Sequence, residues 1–279
     1  MRCSSARILA VLPQNPCTFR WCIAMHQRKY TLFMLSNVDK HNLQQESEAL
    51  RKEGFIMESG KYYAAYEERY KVAHALGVSW ASRRGTPVVS EVLRRYGIQA
   101  RQGILEIGCG EGRDARVVLE QGFSLTATDI SGEAIAYCKE TMPAYRDHFS
   151  VLDCLSDSLS ERFDFIYAVA VIHMLVLDED RDGFYRFIHT HLKPEGIALI
   201  CTMGDGEFEM QSDIRQAFEL QERTHASGKM MVAGTSCRMV SFPTFHAELT
   251  RNDLKIVEQG ITSSPPEFDS LMFAVVKRT

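Results

Sequence analysis

Between Ile104 and Gly112 the chain passes from a short apolar segment, Ile104-Leu105-Glu106-Ile107, into Gly108-Cys109-Gly110-Glu111-Gly112 and then into a helical pattern. Glycines directly after a buried strand let the backbone turn tightly and remove side chains, so a ligand can approach the main chain. The helix that follows places Ala115, Val118 and Leu119 on one face and ends at Gly122. The same alternation then repeats. Ser124 to Thr128 reads as a strand stopping at Asp129, and Ser131 caps a helix with Glu133 in its first turn. Phe149 to Leu152 is a short strand ending at Asp153, and Phe163 to Val171 has the unbroken apolar character of a strand buried on both faces. A helix from about Asp180 carries Phe184, Phe187, Ile188 and Leu192 at helical spacing. Lys193 to Gly196 reads as a turn, and Ile197 to Thr202 as a fifth strand. Such alternation predicts an α/β domain with a mostly parallel sheet covered by helices on both faces.

The regularity fails after Met203. Residues 205–243 read as an insertion holding a polar helix and then a methionine-rich stretch, Lys229 to Gly234, before a helix at about 244–252. Met230 and Met231 are either core filler or part of a cover for the site. Two strands close the chain, Leu254–Thr262 and Leu271–Lys277. Only Ser263-Ser264-Pro265-Pro266 and a few more residues separate them, so they are expected to pair antiparallel. Upstream, Glu46 to Ala75 is helical in pattern and rich in charge and tyrosine. A second helix starts with Thr86 as cap and Pro87 in the first turn, and turns Val89, Val92, Leu93 and Tyr96 to one side before Gly97. The expected domains are a tail at 1–45, a helical cap at 46–100 and the α/β domain at 101–279.

The composition limits the function classes. Hydrophobic residues make up 45% of the 279 positions and charged residues 24%, enough apolar material for a full core. The net charge of −4 is uneven: residues 1–56 hold eight Lys/Arg against four Asp/Glu, and the remainder is acidic. An acidic working domain argues for a small-molecule substrate rather than nucleic acid. Eight cysteines, at 3, 17, 22, 109, 138, 154, 201 and 237, form no CxxC pair and no Cys/His cluster, so no metal site is expected and a reducing, cytoplasmic setting is. No apolar run approaches the roughly 18 residues of a membrane span. The first 38 residues lack Asp and Glu. They fit a disordered tail, a chain whose true start is Met25, Met34 or Met57, or a targeting leader.

Asp129 stands 21 positions after Gly108, at the end of the next strand. An acid there can accept both hydroxyls of an adenosine ribose. The plainer alternative is a helix-capping acid ahead of Ser131. A dinucleotide-binding loop wants a small residue where this chain has Arg113, which would crowd a pyrophosphate. A nucleoside ligand without pyrophosphate needs no such clearance, although an NAD(P)-dependent oxidoreductase remains the rival reading.

The stretch Ile104 to Ser131, ILEIGCGEGRDARVVLEQGFSLTATDIS, resembles the first two motifs of class I S-adenosylmethionine-dependent methyltransferases. Asp153-Cys154, the run Phe163 to Ala168 followed by Ile172-His173-Met174-Leu175, and Leu192-Lys193-Pro194-Glu195-Gly196 resemble the later motifs, although the family more often has Gly at the position of Glu195. Gly110 to Asp114 resembles the small-molecule branch that acts on thiopurines and tellurite. The resemblance covers about residues 100–205. It implies a Rossmann-like sheet of seven strands whose last strand is antiparallel, S-adenosyl-L-methionine as cofactor, and methyl transfer to an O, N or S atom of a small molecule. It further implies that Glu106, Gly108, Cys109 and Gly110 hold the methionine end and that Asp129 binds the ribose. Ile130 would pack on adenine, Asp153 and the Cys154 N–H would meet the adenine edge, and Ala168 would lie beside the methionine moiety. His173, just past the fourth strand, is a candidate base or an ordinary loop histidine. Tyr63, Tyr66 and Trp80, with Arg113, are candidates for a substrate lid, or for packing and local pairing. A cofactor-binding protein without catalysis would share all these features, as would a methyltransferase acting on protein or RNA. The expected assembly is a monomer or a homodimer.

Overall fold

The computed structural model describes residues 61–82, 84–225, 227–264 and 268–279. The expected tail, the 46–60 part of the expected first helix, and Pro265 and Pro266 lie outside them. Helices α1 (Tyr66–Ala75, entered through a 3-10 turn at Tyr62–Ala65) and α2 (Pro87–Arg95) precede the sheet. The alternating core runs β1 (Gly103–Ile107), α3 (Arg113–Glu120), β2 (Ser124–Asp129), α4 (Gly132–Thr141), β3 (Phe149–Val151), β4 (Phe163–Val169), α5 (Asp178–His191) and β5 (Leu192–Met203). Then come β6 (Met210–Gln211), β7 (Leu220–His225), β8 (Gly228–Ala233), β9 (Arg238–Met239), α6 (Phe242–Arg251), β10 (Leu254–Ser264) and β11 (Phe268–Arg278).

The main sheet has seven strands in the order β10-β11-β5-β4-β1-β2-β3. Pairs from β3 through β5 are parallel, and β11 runs antiparallel to both β5 and β10. The period of two sorts its side chains. Phe165 and Tyr167 of β4 join Val92 of α2 and Val118 of α3 on one face. Ile166 and Ala168 join Phe184 of α5 and Phe245 of α6 on the other. Both faces are therefore dry, and each fully buried large apolar side chain contributes about 1.5–3 kcal/mol. The strand order reverses at β1, whose neighbours are β2 and β4, so the carboxyl ends of β1, β2 and β4 open the crevice where ligands bind in sheets of this kind.

Several expectations are corrected. Among the described residues of 205–243 there is no polar α-helix, only a 3-10 turn at Ile214–Gln216. The segment forms two small antiparallel ribbons, β7 with β8 and β6 with β9. In β8, Met230 and Val232 are buried at period two, a strand pattern. Lys193 to Gly196 is a bulge inside β5 rather than a free turn, since the pairing steps from Phe163↔Leu192 to Phe165↔Ile197. Strand β4 stops at Val169, because Ala170 takes a left-handed φ of 57° and the chain enters a 3-10 turn at Ile172–Met174. Thr86 does not cap α2 through its side chain, which bonds Asp114 and Ser264 instead, so Pro87 alone sets the helix start.

Candidate functional site

The loop after β1 folds as the glycines require. Gly108 and Gly110 have φ of 72° and 52°, left-handed values that cost most other residues about 1–2 kcal/mol. A Cβ on Gly108 would lie 2.3 Å from Val171 Cγ2, and one on Gly110 2.7 Å from the Tyr70 hydroxyl. The Cys109 N–H donates to Thr128 O at 2.9 Å, tying the loop to β2. Its thiol is buried and pushed well up by its neighbour Cys138 and by burial, so it is no nucleophile.

Asp129 ends β2 and accepts from the Gly110 N–H at 2.7 Å and the Ser131 N–H at 2.8 Å. Burial raises its carboxyl against these bonds. Each carboxylate oxygen can accept more than one hydrogen bond, so both can still take a hydroxyl. The capping role itself falls to Ser131, whose hydroxyl accepts from Ala134 N at 3.0 Å. Ile130, between them, is half-buried.

Glu106 is buried in β1 beneath the loop and accepts from the Tyr167 hydroxyl at 2.9 Å. Burial, then the charge of Asp114, pushes its carboxyl well above the usual range. Arg113 leaves the loop to pair with Asp114 at 3.1 Å and to donate to Thr86 Oγ1 at 3.2 Å, the local role weighed for it above.

Asp153 follows β3. Its Oδ2 accepts from Lys61 Nζ at 2.6 Å and from Tyr63 Oη at 3.2 Å, and its Oδ1 accepts from Leu155 N. Burial alone would raise this carboxyl, but the bonds from Lys61 and Leu155 and the Lys61 charge outweigh it and hold it low. The Cys154 thiol is pushed up to about 12 by burial, which leaves its backbone as the useful part. Ala168 is buried in β4.

Helix α1 and the 3-10 turn leading into it therefore roof the carboxyl ends of β1 to β3, and the cap uses more residues than the aromatic pattern indicated. Tyr70 sits on Gly110. Glu67 accepts from Ser131 Oγ at 2.6 Å and Glu133 N at 3.1 Å, so an acid of α1 satisfies the amino end of α4. Glu111, inside the glycine loop, accepts from Ser79 Oγ, Trp80 N, Ala81 N and His74 Nε2 at 2.6–2.9 Å. No local signal in the sequence marks this role, because the partners of Glu111 are 30 to 37 positions away. Trp80 and Tyr66 lie over the Arg69 guanidinium at 4.8 and 4.6 Å. Two clefts, of about 220 and 290 Å³, lie against Ser79, Tyr137 and Thr141, the first also against Glu111; neither is lined by Asp129, Asp153 or His173.

His173 lies in the 3-10 turn at the β4 exit, buried, with its ring edge against Phe268 at 5.9 Å. Its Nδ1 has no hydrogen-bond partner. Burial, then the Arg181 charge, lowers its pKa to about 4, so the ring is neutral at pH 7. The turn itself is held by Arg181, which donates to Ile172 O and Leu175 O and forms a two-pronged buried pair with Glu248 of α6 at 2.7 and 2.8 Å. No local pattern signals that pair, because its partners are 67 positions apart.

Comparison with known proteins agrees with this geometry. Residues 105–198 match the model of a family described as a methyltransferase domain. The chain is 29% identical over 122 residues to a ubiquinone biosynthesis O-methyltransferase of Rickettsia canadensis, an alignment covering 42% of this chain and 49% of that protein. It is 29% identical over 134 residues to a malonyl-[acyl-carrier protein] O-methyltransferase of Bacillus cytotoxicus, covering 47% and 45%. The chain thus spans about half the length of the curated relatives it matches. Among solved structures, the glycopeptide N-methyltransferase MtfA complexed with S-adenosyl-L-methionine superposes with a TM-score of 0.54 at 22% identity, over 70% of this chain and 95% of that one; this likeness is one of fold. Residues 105–198 are thus similar to a methyltransferase domain, on a fold shared with S-adenosylmethionine-dependent methyltransferases.

Proposed function

We propose that the protein transfers a methyl group from S-adenosyl-L-methionine to an O, N or S atom of a small molecule. The carrying observation is the convergence of the left-handed glycine loop, Asp129 and Asp153 at three adjacent strand ends beneath helix α1. The residues fit the cofactor: the glycines leave main chain exposed to a close neighbour, Asp129 retains acceptor capacity, and Asp153 already accepts from Lys61, Tyr63 and Leu155. In this reading the Gly108–Gly110 backbone and Glu106 hold the amino-acid end, Asp129 the ribose, and Ile130, Asp153 and the Cys154 N–H the adenine. Cys109 supplies backbone to the loop, and Ala168 gives room beside it. The bound cofactor supplies an already activated methyl group on a sulfonium.

What remains for the chain is positioning and exclusion of water. Tyr63, Tyr66 and Trp80 on the cap, with Tyr70, cover the site, and Lys61 and Tyr63 must share Asp153 with an adenine or yield it. His173, neutral and with Nδ1 free, accepts a hydrogen bond from the acceptor's nucleophilic group and takes its proton where one is lost. The acidic α/β domain favours a small acceptor over nucleic acid. Among the described residues no helix is long and apolar enough to cross a membrane.

The test is transfer of a labelled methyl group to a panel of phenols, amines and thiols, by the wild type and by His173→Ala. Transfer to at least one acceptor, slowed about 10²-fold or more in the variant, is expected. Cofactor binding with no transfer to any acceptor would favour a non-catalytic binding protein.

A further inference from the structure

Arg69 is the buried charge that the reading above does not use. It is 2% exposed, yet among the described residues no carboxylate pairs with it. Its hydrogen bonds go to neutral acceptors, Nη2 to Ala233 O at 2.8 Å and to Thr235 Oγ1 at 3.5 Å. The rings of Tyr66 and Trp80 take the guanidinium, and its Nε is buried with no partner. Aromatic contacts offset only part of the cost of burying a cation; a buried guanidinium ordinarily has an anion on its donor edge.

The position indicates which molecule supplies that anion. Arg69 joins α1 to the end of β8, and both lie outside the 105–198 segment that matches the family model. The chain it bonds continues to Ser236, whose hydroxyl donates to Met174 O at 2.6 Å. Met174 is the neighbour of His173, whose Nδ1 is also buried and unpartnered. Two polar atoms without partners, Nε of Arg69 and Nδ1 of His173, are thus linked through one short segment at the β4 exit. The cofactor reading leaves both of them over.

We propose that Arg69 receives a carboxylate of the acceptor, so that the protein selects small acidic acceptors, with the acid held at Arg69 and the nucleophilic group presented toward His173. The proposal rests on the methyltransferase reading. With rings over the guanidinium and Nη2 on Ala233 O, Nε is the donor left over, and a guanidinium binds carboxylates through parallel N–H donors.

The experiment uses wild type, Arg69→Lys and Arg69→Met saturated with S-adenosylhomocysteine, titrated with benzoate and with its neutral isostere benzamide. Wild type should bind benzoate at least tenfold more tightly than benzamide. Arg69→Lys should keep part of that preference and Arg69→Met should lose it. Affinity for S-adenosylhomocysteine should stay within about threefold in all three. Equal binding of benzoate and benzamide by the wild type, or binding of neither, overturns the proposal without needing any variant. A tenfold loss of S-adenosylhomocysteine affinity in Arg69→Met, with affinity for methylthioadenosine unchanged, also overturns it, by assigning Arg69 to the cofactor's own carboxylate. Failure of the wild type to bind S-adenosylhomocysteine contradicts the methyltransferase reading on which the proposal stands, and is distinct from cofactor binding without acid preference.

Discussion

Gly110 concentrates two demands in one residue. Its φ is left-handed and the Tyr70 hydroxyl stands where a Cβ would go. Gly110→Ala should cost about 1–2 kcal/mol from the backbone and displace Tyr70, lowering S-adenosylhomocysteine affinity about tenfold or more. Adding Tyr70→Phe, which removes the colliding oxygen, should recover part of that loss in the same titration; no recovery would put the fault in the backbone alone. Glu106 makes a prediction in pH. Its folded carboxyl titrates above its ordinary 4.5, through burial and then the Asp114 charge. It therefore favours the fold fully below pH 4.5, and that contribution fades as pH rises toward the folded value. Glu106→Gln should melt higher than wild type at pH 7–8 and show a flatter pH dependence above 4.5. At this scale the sequence was legible where chemistry is local: Gly108, Gly110, Asp129 and Ser131 sit as their spacing requires. It was silent on Lys61, Glu67 and Glu111, whose partners are 30 to 92 positions away.

Among the elements, the segment between α1 and α2 depends on the Glu111 carboxylate. The amides of Trp80 and Ala81 both donate to it. Glu111→Ala should destabilise the protein by about 2–3 kcal/mol, the scale of hydrogen bonds to a charged group. Amide exchange at Trp80 and Ala81 should accelerate while strands β4 and β5 stay protected. Uniform acceleration would mean that the cap and the sheet open as one unit. The alternating elements from β1 to β5 could be read because their apolar periods are strong. The ribbons of 205–243 could not, since β6 and β9 are two residues each and β7 is polar in composition. Their pairing comes from contacts with β8 and the β4 exit rather than from local propensity.

For the whole molecule, the buried pair Arg181–Glu248 joins α5, α6 and the turn that carries His173. Glu248→Ala leaves a buried cation and should cost about 3–5 kcal/mol, a fall in melting temperature on the order of 10 °C for a chain of this size. Loss of methyl transfer should accompany it even below that melting point, because the turn loses its anchor. The antiparallel pairing of β10 with β11 followed from the absence of room for a helix between the last two strands, whereas the seven-strand sheet was implied by the family resemblance. The central claim remains that this crevice binds an adenosyl amino acid through Asp129. It is tested most directly by calorimetric titration of wild type and Asp129→Ala with S-adenosylhomocysteine and with NADH. Tight S-adenosylhomocysteine binding, lost in the variant, with no NADH binding, is the predicted result. Binding of NADH instead, or of neither nucleotide ligand, would contradict the account.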